Sequence, residues 1–314
     1  MSVDVIIASY NTRELLRACL ASVERAAGGL EGARAIVVDN ASADGSAEMV
    51  RAAFPRVAVI ALEENLGFGP ANNRGMHAGD GAHLLFLNSD AELKDGALRA
   101  LVEFLDAHPN CVAVGPRLEY PDGRFQPSCR RFPALLNTIW NTAGLQTRFP
   151  NRFRSLHTWL SESEHVAGAK VEMVSGACFL VRRDYLESVG GFDENIFLYE
   201  EEMDILLPAR RRGLDVCYCP SARVVHHHGA SSGGQDLGDV PLFHLYRSKY
   251  YAFGKHYGPF AAWAAFAAEH AIFTASARRH ARRGLPSTAA RLAEYCAKGY
   301  AASREVRRAR HGQT

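Results

Sequence analysis

Four short apolar runs, each followed by a stretch of helical period, fill the first third of the chain and fix its fold class. Residues 3–8, 35–39, 57–62 and 84–87 are apolar almost throughout rather than alternating. That is the pattern of strands covered on both faces. Between them, Leu15, Leu16, Cys19, Leu20 and Val23 recur at helical spacing, and residues 46–53, 70–78 and 97–108 also read as helices, with Pro70 in a first turn. Asn11 with Glu14 three residues on reads as a helix cap and its reciprocal partner. Alternation of this kind predicts a parallel sheet with helices on both faces. Ligands of such sheets bind at the carboxyl ends of the strands. Here those ends are polar: Ser9-Tyr10-Asn11, Asp39-Asn40-Ala41-Ser42 and Asn88-Ser89-Asp90.

The chain has 314 residues, 47% hydrophobic and 22% charged, enough for one large domain or a domain with an appendage, and too apolar for global disorder. A dinucleotide-binding oxidoreductase is disfavoured. No G-x-G-x-x-G follows the first strand, and Gly67-Phe-Gly69 follows the third strand without a third glycine. The seven cysteines are scattered and odd in number, which excludes a disulfide framework and favours a reduced, cytoplasmic compartment. The first residues lack the basic and long apolar regions of a signal peptide.

Formal net charge is only +2, but residues 278–314 hold ten of the 36 Lys and Arg and only two of the 34 Asp and Glu. A basic tail on a mildly acidic body predicts an anionic surface as partner. Residues 260–277 are apolar but Ala-rich and interrupted, a poor bilayer span. Beside Arg278 to Arg283 they suit a helix lying on an anionic membrane, or one packed on the body with its arginines solvated. The tail carries no nucleic-acid motif, so nucleic acid is the weaker partner.

The middle third is less regular. Residues 116–170 read as long loops over a cleft. Residues 174–181 read as a strand, 183–189 as a helix and 190–193 as a turn. Tyr199 to Asp204 opens a helix with acids in its first turn, where the dipole favours them, and Pro208 is expected to kink it. Strands over 216–219 and 222–226 run into His226, His227 and His228. Cys217 and Cys219 with His226 and His228 leave zinc open as an alternative, although the usual Cys-x-x-Cys is missing.

Eight stretches, in this order, resemble the inverting family 2 glycosyltransferases, in particular the rhamnosyltransferase-like branch. They are Val5-Ile-Ile-Ala-Ser-Tyr-Asn11, Ile36 to Ser46, Asn65-Leu-Gly-Phe-Gly-Pro-Ala-Asn-Asn73, Leu85-Phe-Leu-Asn-Ser-Asp90, Gly176 to Arg183, Gly190-Gly-Phe-Asp193, Tyr199 to Asp204 and Val225-His226. The resemblance implies an α/β GT-A fold with a mixed central sheet. Residues 1–115 would be the nucleotide-sugar half, 116–240 the acceptor and catalytic half, and 241–314 a helical basic extension. It also implies transfer of a sugar, rhamnose by branch, from a nucleotide-diphosphate donor to a glycan or lipid-linked glycan. The work would be done at the inner face of the cell membrane, in surface polysaccharide assembly.

The leaving diphosphate is anionic, and a divalent metal held by one or two carboxylates neutralises it. The family's Asp-x-Asp reads Asn88-Ser89-Asp90 here, which leaves Asp90 as the Mn2+ or Mg2+ carboxylate, with His226 as its partner. Glu92, His227 and His228 are alternatives nearby. The resemblance puts Ala8, Ser9, Asn11, Asp39, Gly67, Asn73, Asn88, Ser89 and Arg247 around the donor nucleotide, with Ser231, Ser232 and Lys249 where a loop closes on the diphosphate. One-step inversion needs a base for the acceptor hydroxyl. Glu202 stands where the family has Asp, and Glu201 and Asp204 are supporting acids. Pro208 replaces a family Arg. Two other functions stay open. A sugar nucleotidyltransferase would need a Gly/Arg/Lys-rich loop after the first strand, which Ser9 to Arg13 does not supply. A non-catalytic nucleotide-sugar binder is kept open by Asn88, Glu202 and Pro208.

Overall fold

Each of the four apolar runs becomes a strand of one sheet in the computed structural model, which describes residues 2–27, 30, 32–165, 170–227, 238–285 and 287–311. β1 (Val3–Ser9), β2 (Ala33–Asp39), β3 (Ala58–Ala61) and β4 (His83–Leu87) alternate with α1 (Arg13–Ala27), α2 (Ser46–Ala53) and α3 (Phe68–His77). Next come β5 (Ala91–Leu93), α4 (Ala97–Ala107), β6 (Cys111–Glu119), β7 (Phe125–Gln126), β8 (Cys129–Arg130), α5 (Leu135–Thr142) and α6 (Leu145–Arg148). The remaining elements are β9 (Lys170–Val171), β10 (Met173–Val174), β11 (Cys178–Arg182), α7 (Arg183–Ser188), α8 (Glu201–Arg211), β12 (Asp215–His226), α9 (Asp239–Tyr257), α10 (Pro259–Arg282) and α11 (Ala289–His311). The chain packs as two compact units, one of residues 1–131, 159–194 and 205–236, the other of 132–158, 195–204 and 237–314. Packing thus divides the chain at other places than the boundaries expected at 115 and 240.

The first unit holds the sheet, in the order β3-β2-β1-β4-β11-β6-β12-β5. β1 to β4 are mutually parallel, as the alternation predicts. β11 then enters antiparallel between β4 and β6, so the sheet is mixed rather than parallel. Parallel neighbours need a crossover element, whereas β11 returns from a long irregular excursion. The apolar stripe of α1 packs Leu16, Cys19, Leu20 and Val23 into one core with Val5, Ile7, Leu85 and Leu180. Burying side chains of this size stabilises by about 1.5–3 kcal/mol each. Asp4 is the exception in β1. Its carboxylate is buried and accepts from Arg34 and Arg183, both at 2.9 Å, and from the Gly81 N–H at 2.7 Å. Stripping one partner from such a buried pair costs about 3–5 kcal/mol, so this knot ties β1 to the chain before β4 and to α7.

Several local readings change. Asn11 does not cap α1. It has φ 53°, and its side-chain oxygen accepts from the Ala43 N–H at 2.8 Å. The Arg13 N–H at the helix start is taken by Asp44 instead. Residues 116–170 are not only loops: α5 and α6 form there, where Trp140 packs on Phe149, Phe153 and His157. The run at 174–181 splits, with Val174 in β10 paired to β8 and Cys178 starting β11. The two strands expected over 216–226 are one, β12, irregular between Cys219 and Arg223. Pro208 sits inside α8, which runs on to Arg211.

In the second unit, α9, α10 and α11 share a core of Leu242, Tyr246, Tyr250, Phe253, Ala262, Ala265 and Cys296. Glu269 is buried within it and accepts from Thr142 (2.8 Å), Lys249 (2.7 Å) and Tyr250 (2.9 Å). Lys249, expected near a diphosphate, is thus committed to an ion pair. Among the described residues no helix is long and apolar enough to cross a membrane.

Candidate active site

The parallel register of β1 and β2 brings Ser9 beside Asp39 at the carboxyl edge of the sheet. Ala8 lies one step back, opposite Val38. A relay of hydroxyls runs from Ser9 to Thr12 (3.0 Å) and from Thr12 to Ser89 (2.8 Å). It fastens the loop after β4 to the start of α1. Asp39 Oδ2 accepts from the Ser42 N–H at 3.1 Å. Its Oδ1 is buried and has no hydrogen-bond partner among the described residues. A buried carboxylate oxygen left this way costs free energy unless a donor reaches it from outside the chain.

Asn40, one residue on, holds the next loop: its amide accepts from the Leu66 N–H (2.8 Å) and donates to the Gly67 carbonyl (2.9 Å). Gly67 has φ 89° at the start of α3, a conformation that glycine adopts without steric cost. Asn73, expected at the nucleotide, is 4% exposed and commits its amide to the Phe192 backbone, donating and accepting at 2.9 and 3.0 Å. It pins the turn after α7.

Beyond β4, Asn88 is half-buried, and the antiparallel pairing of β5 with β12 sets His226 opposite Ala91. This brings Asp90 and His226 together across 136 positions of sequence, with Nε2 3.4 Å from Asp90 Oδ1. Both are buried. His226 Nδ1 lies 2.9 Å from the Gln126 side-chain oxygen. With Nδ1 donating to that acceptor, Nε2 is left as the lone-pair nitrogen. A histidine held in this way, beside a carboxylate, offers the O and N donors that suit Mn2+ or Mg2+. Among the described residues no group of three His, Cys, Asp or Glu is placed to hold a metal. His227 and Glu92 form a separate pair at 3.0 Å. Cys217 and Cys219 are buried in the apolar core, and among the described residues no metal-holding group forms around them. His228, Ser231 and Ser232 lie outside the described residues.

In the second unit, the first turn of α8 carries Glu201, Glu202 and Asp204. Tyr199 and Glu200 just before it both have φ 69°. Non-glycine residues in that region cost about 1–3 kcal/mol each and concentrate at functional sites. Glu201 and Asp204 are buried, whereas Glu202 is partly accessible. Asp204 meets Lys255 Nζ and His256 Nε2, each at 2.7 Å.

Arg247, on α9, is half-buried, and its guanidinium has no hydrogen bond or ion pair among the described residues. Burial lowers its pKa, as for a cation short of a counter-charge. Burial, with the Arg247 charge beside it, holds the stacked His244 down to about 4. The unfolded imidazole titrates near 6.5. Between these values the unfolded chain binds more protons than the folded one, so this contribution to stability is present above about pH 6.5 and is lost as pH falls towards 4. His244→Phe is expected to flatten the loss of urea midpoint between pH 7 and pH 4.5. An unchanged slope would contradict the assignment.

Thr12, Asn40 and Gln126 escaped the sequence reading. Each acts through a partner that only the fold supplies.

A family model described as glycosyl transferase family 2 matches residues 4–190, more than half of the chain. The chain is a family 2 glycosyltransferase. This glycosyltransferase is 31% identical, over 233 residues, to the N-acetylglucosaminyl-diphospho-decaprenol L-rhamnosyltransferase of Mycobacterium tuberculosis, covering 67% of this chain and 71% of that one. It is 26% identical over 187 residues to the O-antigen biosynthesis protein RfbC of Myxococcus xanthus, covering 56% of this chain and 13% of that one. Among solved structures, it superposes on the mannosyltransferase PcManGT of Pyrobaculum calidifontis, in complex with GDP-Man and Mn2+, with TM-score 0.59 and 18% identity, over 96% of this chain and 86% of that one. On S. aureus TarS 1-349 in complex with UDP-GlcNAc the values are 0.55 and 15%, over 100% and 93%. The fold of the glycosyltransferase is GT-A.

Proposed function

We propose that this glycosyltransferase moves a sugar with inversion, a deoxyhexose such as rhamnose by likeness to its mycobacterial relative, from a nucleotide-diphosphate donor to a lipid-linked glycan. The product would extend a cell-envelope polysaccharide, made at the inner face of the membrane with the basic helical extension against anionic lipid. The observation that carries the reading is the buried pair Asp90 and His226 after β4, on the sheet whose β1 and β2 end in register at Ser9 and the buried Asp39.

In this reading residues 1–115 bind the donor, 116–240 supply the acceptor side and the base, and 241–314 form the extension. Asp39 Oδ1 accepts from the base or ribose, whose N–H and hydroxyl groups are donors. Ala8, Ser9, Asn11, Gly67, Asn88 and Ser89 shape the nucleotide pocket, and Asn73 braces it. Asp90 and His226 hold Mn2+ or Mg2+, which when bound neutralises charge on the departing diphosphate. Arg247 offers its guanidinium to the same anion. Glu202 takes the proton of the acceptor hydroxyl as the sugar is attacked. Asp204, held by Lys255 and His256, and Glu201 fix the start of α8 around it.

Calorimetric titration with UDP, dTDP and GDP, with and without Mn2+, tests the reading. One nucleotide is expected to bind, and to need the metal. A folded protein that binds none of the three would overturn it.

A further inference from the structure

Within the second unit, the carboxyl-terminal half of α10, the start of α11 and the end of α5 line an open groove of about 940 Å3. Its wall is largely apolar, with Ile272, Phe273, Ala275, Ala289 and Leu292 among the lining residues. Ala275 and Arg279 also line a second hollow of about 380 Å3, completed by Arg278, Arg282 and Arg283. The two hollows thus share two wall residues, and arginines supply the rest of the second. Among the described residues no carboxylate lines either.

A basic last turn is ordinary for a helix, because cations there complement the dipole. Four guanidinium groups within six residues exceed that need. They repel one another, and none has a hydrogen bond or ion pair among the described residues. An anion bridging them lowers the energy, and arginine suits phosphate oxygens in particular. The groove beside them asks for something different, an apolar chain that would otherwise be in water. A single molecule that meets both demands is an amphiphile with a phosphorylated head. Leu285, half exposed at the turn between α10 and α11, extends the apolar surface next to the arginines.

We propose that these two neighbouring hollows receive the anchor of the acceptor, a prenyl diphosphate, with the diphosphate on Arg278, Arg279, Arg282 and Arg283 and the first isoprene units against Ile272, Phe273 and Leu292. The proposal rests on the lipid-linked acceptor of the preceding reading. It adds a site for the lipid that is separate from the residues assigned to donor and catalysis.

The test is calorimetric titration of the full chain with farnesyl diphosphate and with inorganic diphosphate. It uses wild type, Ala275→Trp, which fills the groove from a helix position that tolerates it, and the double variant Arg279→Ala/Arg283→Ala. Farnesyl diphosphate is expected to bind more than about tenfold more tightly than inorganic diphosphate, because chain burial adds to the charge attraction. Ala275→Trp should erase that preference while sparing inorganic diphosphate, and the arginine variant should weaken both ligands. Equal affinity for the two ligands in wild type would overturn the proposal. So would a preference that survives Ala275→Trp, or binding to vesicles containing phosphatidylglycerol with no binding of farnesyl diphosphate. Nucleotide binding with Mn2+, titrated on the same preparations, should not change in either variant and reports folding. Its loss in wild type with prenyl binding intact would sink the donor-site reading and leave this one standing. The opposite pattern would sink only this one.

Discussion

Glu202→Gln is expected to lower the rate of sugar transfer by about 10²–10⁴-fold, the usual contribution of a positioned base, while Mn2+-dependent nucleotide binding stays unchanged. The amide keeps the shape of the side chain and loses the ability to take a proton. The first turn of α8 favours acids on any helix, so the presence of three acids there is weak support by itself. What separates them is setting. Asp204 is committed to Lys255 and His256, and Glu201 is buried, which leaves Glu202 as the acid with access to solvent. Glu202→Asp, one methylene shorter, should recover part of the lost rate, since the family motif carries Asp at this position. Single-turnover transfer, measured alongside nucleotide titration, checks the pair. A Gln variant that transfers at the wild-type rate would remove Glu202 from the mechanism.

Asp90→Asn should act on the other half of the reaction. Its expected effects are loss of Mn2+-dependent nucleotide binding and a fall in transfer rate of about 10²–10³-fold, the usual cost of removing one charge-stabilising group from an active site. Asn preserves volume in a position whose side chain is wholly buried, so the change falls on charge rather than packing. Gln126→Leu provides a second readout. It leaves both residues proposed to hold the metal in place but removes the acceptor that holds the His226 ring, so it should raise the Mn2+ concentration needed for half-maximal nucleotide binding. Metal-dependent binding that persists in Asp90→Asn would show that another carboxylate holds the ion.

Much of the donor half was legible because its signals are local. An apolar run of five or six residues cannot hide its strand, and the polar residues that follow each run fall at the carboxyl edge by geometry alone. Ser9, Asp39 and Asp90 could be chosen from sequence for that reason. Antiparallel β11 was not legible from periodicity, because periodicity identifies a strand without giving its direction. The α5 helix was obscured by a segment rich in Arg, Pro and Asn, where Trp140 and its aromatic neighbours outweigh local preference.

The supporting residues were harder still. Thr12 bonds Ser89 across 77 positions and Gln126 meets His226 across 100, so neither role exists before the register does. Asn73 was found as a residue of interest, but spacing could not say that its amide would be used on the Phe192 backbone.

The order of strands in the sheet also bears on how the molecule is made. β5 leaves the ribosome early, yet its neighbour β12 ends at His226, more than two-thirds of the way along the chain. Contacts between segments so far apart in sequence form late, because the loop between them must close first. A nascent chain can therefore present β1 to β4 and their polar edge well before Asp90 meets His226. The arrival of one late strand is thus what brings Asp90 and His226 together.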